Sequence, residues 1–305
     1  MTNPKAKDLS TSEKSRVLEK SRLKKILLNS VKIGVSLALL YFVFKKIPFS
    51  EVGEVLQKVH VFWLILAAVF FLASQVLSAK RLELFLKTRE FHLSFRSNLE
   101  LYFLGMFYNF FIPGGIGGDA YKIYLLHKKF GWSAKTLTSA LFNDRLSGLL
   151  AICVLILLFS ATLFQLQWTV LFLLAAATGI LLTFFITKRY FTTFQPVFWK
   201  GFGVSLLIQM LQMLCFVFLL KSMGIGSHYI IYSIVFLASS VLSLISFAGI
   251  GVREMLFLQA SHYFSFDPTV SVSASLLFTL ITAVFSLFGW LFQLRKLNLK
   301  LTEES

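Results

Sequence analysis

Eight apolar runs, at about 26–44, 60–79, 95–112, 138–163, 168–187, 202–221, 228–247 and 270–292, constrain every fold open to this chain. Each approaches the roughly 20 mostly apolar residues that a helix needs to cross a hydrocarbon core. Lipid tails offer no hydrogen bonds, so backbone at that depth must be helical or shielded by protein or water. The expected class is therefore all-α, a polytopic membrane helix bundle. Composition agrees, since 57% of the 305 residues are hydrophobic and only 14% are charged, too few to cover a soluble domain of this size. Lys and Arg outnumber Asp and Glu by 30 to 14. The excess gathers at the ends of apolar runs, where the positive-inside rule and anionic headgroups account for it. Nucleic acid is not an expected partner.

The same basic clusters give an orientation. Residues 1–25 form a polar, basic tail. No small-residue cleavage site follows the first apolar run, so this tail is expected to be retained in the cytoplasm against anionic lipid headgroups. Lys80, Arg81, Lys87, Arg89 and Arg96 mark the next inside loop, and Lys188, Arg189 and Lys200 a later one. Arg295, Lys296 and Lys300 assign residues 294–305, a C-terminal tail, to the same side. Residues 26–293 are then a single transmembrane domain.

Two shorter helical segments, near 118–129 and 252–263, complicate the count of crossings. If 95–112 crossed fully, Lys128 and Lys129 would lie outside. The count closes when 95–112 enters from inside, breaks at Pro113-Gly114-Gly115, and 118–129 returns. By the same logic 228–247 enters from outside, breaks at Gly249-Ile250-Gly251, and 252–263 returns outward. The expectation is two re-entrant Gly-rich hairpins, near 95–129 and 228–263, forming an inverted repeat whose broken helices meet near the midplane. Ordinary loops between misassigned spans are the alternative.

Ionisable residues inside such runs are costly and mark pathways or binding sites. Asp144 and Arg145 lie several residues inside the fourth run. The planar fork of Arg145 suits bidentate phosphate binding, or else an ion pair with Asp119, Asp144 or Glu254 that locks helices together. Gly114, Gly117 and Gly118 precede a helix start, where exposed N–H groups favour an anion. Asp119 suits either an N-cap or direct contact with a cationic headgroup, and Glu254 has the same two readings. Arg253 at the second tip completes a two-sided polar centre, with Asn109 and Asn143 as hydrogen-bonding groups and Glu100 lining the cavity. Cys153 and Cys215 sit in apolar runs and the five His are scattered. No zinc spacing, Walker loop, nucleophile elbow or dinucleotide fingerprint is present. No metal or cofactor is expected, and no enzyme.

NFFIPGGIGGDAYKIYLL, SALFNDRLSGLL and ISFAGIGVREMLF, in this order, resemble the motifs of the lysylphosphatidylglycerol synthase transmembrane-region family, also described as flippase-like. The resemblance covers about residues 26–293. The family includes the flippase portion of the multiple peptide resistance factor. It implies transfer of a polar lipid between leaflets: an aminoacyl-phospholipid, a glycolipid or a polyprenyl-linked lipid. It implicates Gly114, Gly117, Gly118, Asp119, Asp144, Arg145, Gly251, Arg253 and Glu254 in substrate binding, and a prokaryotic cytoplasmic membrane as the location. Leu244-Ile245-Ser246 stands where members often carry a proline, and Ala248 where glycine is frequent, so the second hairpin is expected to break less sharply. Bifunctional relatives add a soluble aminoacyltransferase domain, which this stretch is expected to lack. Two other functions compete with the flippase: an intramembrane lipid-modifying transferase, and a membrane scaffold for a separate lipid synthase.

Overall fold

Each apolar run within the described residues is a helix. The computed structural model describes residues 57, 59–111, 117–245, 252–264, 266–295, 297 and 299–302. The basic tail 1–25, the first apolar run 26–44, and the turn residues Gly114 and Gly251 lie outside the described residues. In chain order the helices are α1 (Val61–Lys87), α2 (Phe95–Phe111), α3 (Gly117–Phe130), α4 (Ala134–Ala161), α5 (Leu166–Tyr190), a 3-10 segment (Thr192–Val197), α6 (Phe198–Ser222), α7 (Tyr229–Ile245), α8 (Val252–Phe264) and α9 (Pro268–Leu294). Among the described residues the one β feature is an isolated bridge, Leu93 to Leu301. Among the described residues five helices, Val61–Lys87, Ala134–Ala161, Leu166–Tyr190, Thr192–Ser222 and Thr269–Leu294, are long and apolar enough to cross a membrane. The runs expected at 95–112 and 228–247 give helices of 17 residues each, about 25 Å long.

Local chemistry sets the helix ends. Ser133 caps α4 through the Thr136 N–H, and Asp267 caps α9 through the N–H groups of Thr269 and Val270, with Pro268 at the first helical position; proline is tolerated there because its missing N–H would be unpaired anyway. α3 stops at Gly131, whose φ of 71° is open to glycine at little cost.

The packing follows stripes of small and polar residues. Ser74, Gln75, Ser78 and Arg81 recur at helical spacing on α1 and are all buried, as are Ser205 and Gln209 on α6. Lipid supplies no hydrophobic drive between helices, so small residues and polar bonds bring backbones together. Along this seam α1 and α6 form the most extensive helix pair among the described residues. Gly201 of α6 gives room for the Phe85 ring, which an added Cβ would meet at 2.8 Å. Toward the other end of the seam lies an aromatic core. Phe216 stacks on Phe236 at 4.8 Å, lies 5.1 Å from Phe257, and Phe278 meets Phe236 edge-on at 4.8 Å. α5, by contrast, packs on α4 and the 3-10 segment and exposes Leu173, Leu174, Leu181, Leu182 and Phe185.

Residues 299–302, expected as part of a tail, are docked. The Ser94 N–H donates to the Lys300 carbonyl, the Lys300 N–H to Ser97 Oγ, and the Thr302 N–H to the His92 carbonyl. Lys129 at the end of α3 donates to the Leu299 carbonyl at 2.5 Å. The start of α2 and the end of α3 therefore share one anchor.

Candidate functional site

Two ion pairs diverge from consecutive residues of α4. Asp144 lies ten residues into that helix, about 15 Å along its axis. Neighbouring helical residues point about 100° apart, so Asp144 and Arg145 reach different helices. Asp144 receives a fork from Arg81 of α1, Nε to Oδ1 at 2.8 Å and Nη2 to Oδ2 at 3.2 Å. Both side chains are 9% exposed. The remaining nitrogen, Nη1, donates to Ser205 Oγ of α6 at 2.8 Å, and Ser205 and Ser147 hydroxyls bond to each other at 2.8 Å. Gly148 leaves space for this guanidinium, since a Cβ there would stand 2.9 Å from Arg81 Nη1. Arg81 thus belongs to a buried junction of α1, α4 and α6. The expectation that it marks an inside loop is corrected, because α1 continues to Lys87 and carries Arg81 into the packed interior.

Arg145 turns the other way and forks onto Asp119 of α3, Nε to Oδ2 at 2.8 Å and Nη2 to Oδ1 at 3.2 Å. Asp119 is the third residue of α3, past the N-cap position. Its carboxylate is shared with Lys122, whose ammonium donates to Oδ1 at 3.1 Å and lies 5.0 Å above the Tyr102 ring. Lys122 is 4% exposed, whereas the Arg145 side chain keeps 42% of its surface open. Sequence reasoning missed both Arg81 and Lys122.

Close backbone approach holds α3 in place. The Gly118 N–H donates to Asn109 Oδ1 of α2 at 2.8 Å. A Cβ on Gly118 would overlap the Gly105 carbonyl, and a Cβ on Gly105 would overlap the Lys122 stem. Gly118 and Asn109 therefore act here through packing and one hydrogen bond, and Gly117 opens the same helix. Beyond them Tyr108 and Tyr121 lie 4.1 Å apart and both donate to Gln293 Oε1 of α9, at 2.8 and 3.4 Å.

Arg253 and Glu254 occupy a different region. The Arg253 guanidinium lies 4.6 Å from the Phe278 ring and 5.4 Å from Phe236, and its Nε is buried without a hydrogen-bond partner. Glu254 accepts from the hydroxyls of Ser275 and Thr279, each at 3.2 Å. These contacts join α8 to α7 and α9 rather than to the Asp119–Arg145 pair. Asn143 donates to the Ser139 carbonyl within α4, and Glu100 pairs with the exposed Arg96. Among the described residues no three His, Cys, Asp or Glu side chains gather closely enough to hold a metal ion.

No curated protein matches the chain. The family model for the lysylphosphatidylglycerol synthase TM region matches residues 29–289. With that match covering most of the sequence and five helices able to cross a bilayer, the chain is a multi-pass membrane protein tied to lipid metabolism and belongs to the lysylphosphatidylglycerol synthase TM region family.

Proposed function

We propose that this protein is a lipid transporter of the flippase type, moving a phosphate-bearing lipid between leaflets without changing it chemically. The observation that carries the reading is Arg145. It sits well inside a membrane-length helix, paired with Asp119, yet 42% of its side chain is open. A guanidinium at such depth is costly unless it is paired or serves a polar pathway, and an open edge beside a held edge suits a phosphate that arrives and leaves.

Two pairs of short helices support an inverted-repeat reading. α2 carries Arg96 in its first turn and α3 carries Lys128 and Lys129 in its last, so both outer ends are basic and share the 299–302 anchor. At the second pair, Tyr232 near the start of α7 stacks at 4.1 Å on Phe266, just beyond α8. We read each pair as a re-entrant hairpin, entering from opposite faces, and assign the basic ends to the cytoplasmic side of a prokaryotic plasma membrane. Under this reading the headgroup passes the Asp119–Arg145 pair while the acyl chains stay in lipid. Small rocking of α2 and α3 against α4 exposes the pair to each side in turn.

The test is leaflet transfer of labelled phospholipids in proteoliposomes, with every variant first shown to be folded. Wild type is expected to exceed empty liposomes, Arg145→Ala to lose the excess, and Arg145→Lys to recover part of it. Transfer that Arg145→Ala leaves intact would remove the site from the path. Transfer absent for every phosphate-bearing headgroup would sink the transporter.

A further inference from the structure

Asp119 is one carboxylate serving two cations. Arg145 and Lys122 both bond to it, and the next carboxylate along α4, Asp144, is fully engaged by the Arg81 fork. Among the described residues three cations therefore meet two carboxylates across α1, α3 and α4, leaving one positive charge in excess. Lys122 has 5% of its side chain exposed, so water does little to settle that charge. An uncompensated buried charge is strongly unfavourable, and a bound anion relieves it. Arg145 offers the edge at which such an anion docks: Nε and Nη2 face Asp119, while Nη1 makes no bond to a described residue.

The same neighbourhood is poorly built for a cationic headgroup. An ammonium is recognised by a free carboxylate or by open aromatic faces. Tyr102 is already covered by Lys122, and the Tyr124 hydroxyl accepts from Lys128. Tyr108 and Tyr121 lie against each other. Glu100 is held by Arg96.

We infer that the polar centre selects lipids whose headgroup is net negative, a phosphate ester bearing hydroxyls or sugars, over aminoacylated lipids that carry an added ammonium. The inference rests on the transporter reading for its place on a lipid path, but the charge preference belongs to the site itself. It also gives Lys122 a role as the residue that sets the excess charge.

Binding and transfer are measured separately on the full chain. Phosphatidylglycerol, phosphatidylcholine and lysyl-phosphatidylglycerol with identical acyl chains compete for the detergent-solubilised protein, and retained lipid is read by native mass spectrometry. Wild type is expected to retain phosphatidylglycerol over the lysyl lipid by about tenfold, the ratio that one charge-assisted hydrogen bond sets. Lys122→Gln brings the cations and carboxylates into balance and leaves the Arg145–Asp119 fork in place, so the ratio should fall toward one. Basic surfaces elsewhere are unchanged by this substitution, which separates the site from unspecific attraction. Should Lys122→Gln fail to fold, Arg145→Gln reaches the same balance with the Lys122–Asp119 bond kept.

Equal retention, preference for the lysyl lipid, or a preference that survives both variants overturns the inference. Inorganic phosphate displacing phosphatidylglycerol mole for mole would make the ligand a free anion and overturn the lipid assignment. Anion preference in binding with no transfer in proteoliposomes would overturn the transporter and leave the selectivity standing. Transfer without headgroup preference would do the reverse.

Discussion

Replacing Arg81 with Met is expected to cost about 3–5 kcal/mol, because it strands Asp144 in a site prepared for a guanidinium. The size follows from burial. Arg81 and Asp144 are each 9% exposed, joined by two bonds of 2.8 and 3.2 Å, with the third nitrogen held by Ser205. Little water can reach the carboxylate left behind. Arg96→Met is the matched control. It breaks the pair with Glu100, where Arg96 is 88% exposed, and such surface pairs contribute only about 0–1 kcal/mol. Thermal unfolding in detergent reads both. For a chain of this size roughly 1.5–2 °C corresponds to each kcal/mol, so the Arg81 variant should melt about 5–10 °C below wild type and the Arg96 variant within about 2 °C. The double variant Arg81→Met/Asp144→Leu should recover most of the loss, since a buried pair barely repays its own desolvation. An Arg81→Met midpoint within about 2 °C of wild type, or a double variant no better than the single, would refute the account of a closed, buried pair.

Gly118→Ala is expected to lose about 1–3 kcal/mol in the same melting assay, because its Cβ would meet the Gly105 carbonyl, a backbone atom that cannot rotate away. Gly105→Ala meets only the flexible Lys122 stem and should lose less, while Gly179→Ala, with nothing within 4 Å, should gain up to about 1 kcal/mol. Asn109→Ala removes the acceptor of the Gly118 N–H, and hydrogen exchange at that amide should quicken by about tenfold; unchanged protection would show that the bond does not hold α3. Ser147→Cys/Ser205→Cys sets two thiols where hydroxyl oxygens lie 2.8 Å apart, near enough for a disulfide between α4 and α6. If α1, α4 and α6 are the fixed body, the oxidised variant transfers lipid at the wild-type rate, and a loss restored by reduction would assign the motion to this seam instead.

The helices were legible in the sequence because a span of about 20 apolar residues tolerates little else, and α4, α5 and α9 follow their runs closely. The partners were less so. α1 is apolar almost all round, so periodicity does not tell which face meets protein and which meets lipid. Lys80 and Arg81 look alike as residues that end a run, yet one is exposed and the other 8% exposed. The distinguishing signal was present but faint: Ser74, Ser78 and Arg81 share one face of α1, and Gly201, Ser205 and Gln209 share one face of α6. Polar stripes on two otherwise apolar helices predict a seam, and a basic residue in register with a stripe predicts a buried one. Asp144 and Arg145 show the same limit from the other side. Adjacent in sequence, they read as one site, but the turn of the helix sends Asp144 to α1 and α6 and Arg145 to α3. The pairing divides structural from functional candidates by exposure. Asp144 faces a junction with both partners buried, while Arg145 meets a carboxylate already shared with Lys122 and keeps an open side. A pair whose charge closes on itself needs no further partner, whereas one that leaves a cation over has a reason to bind something else.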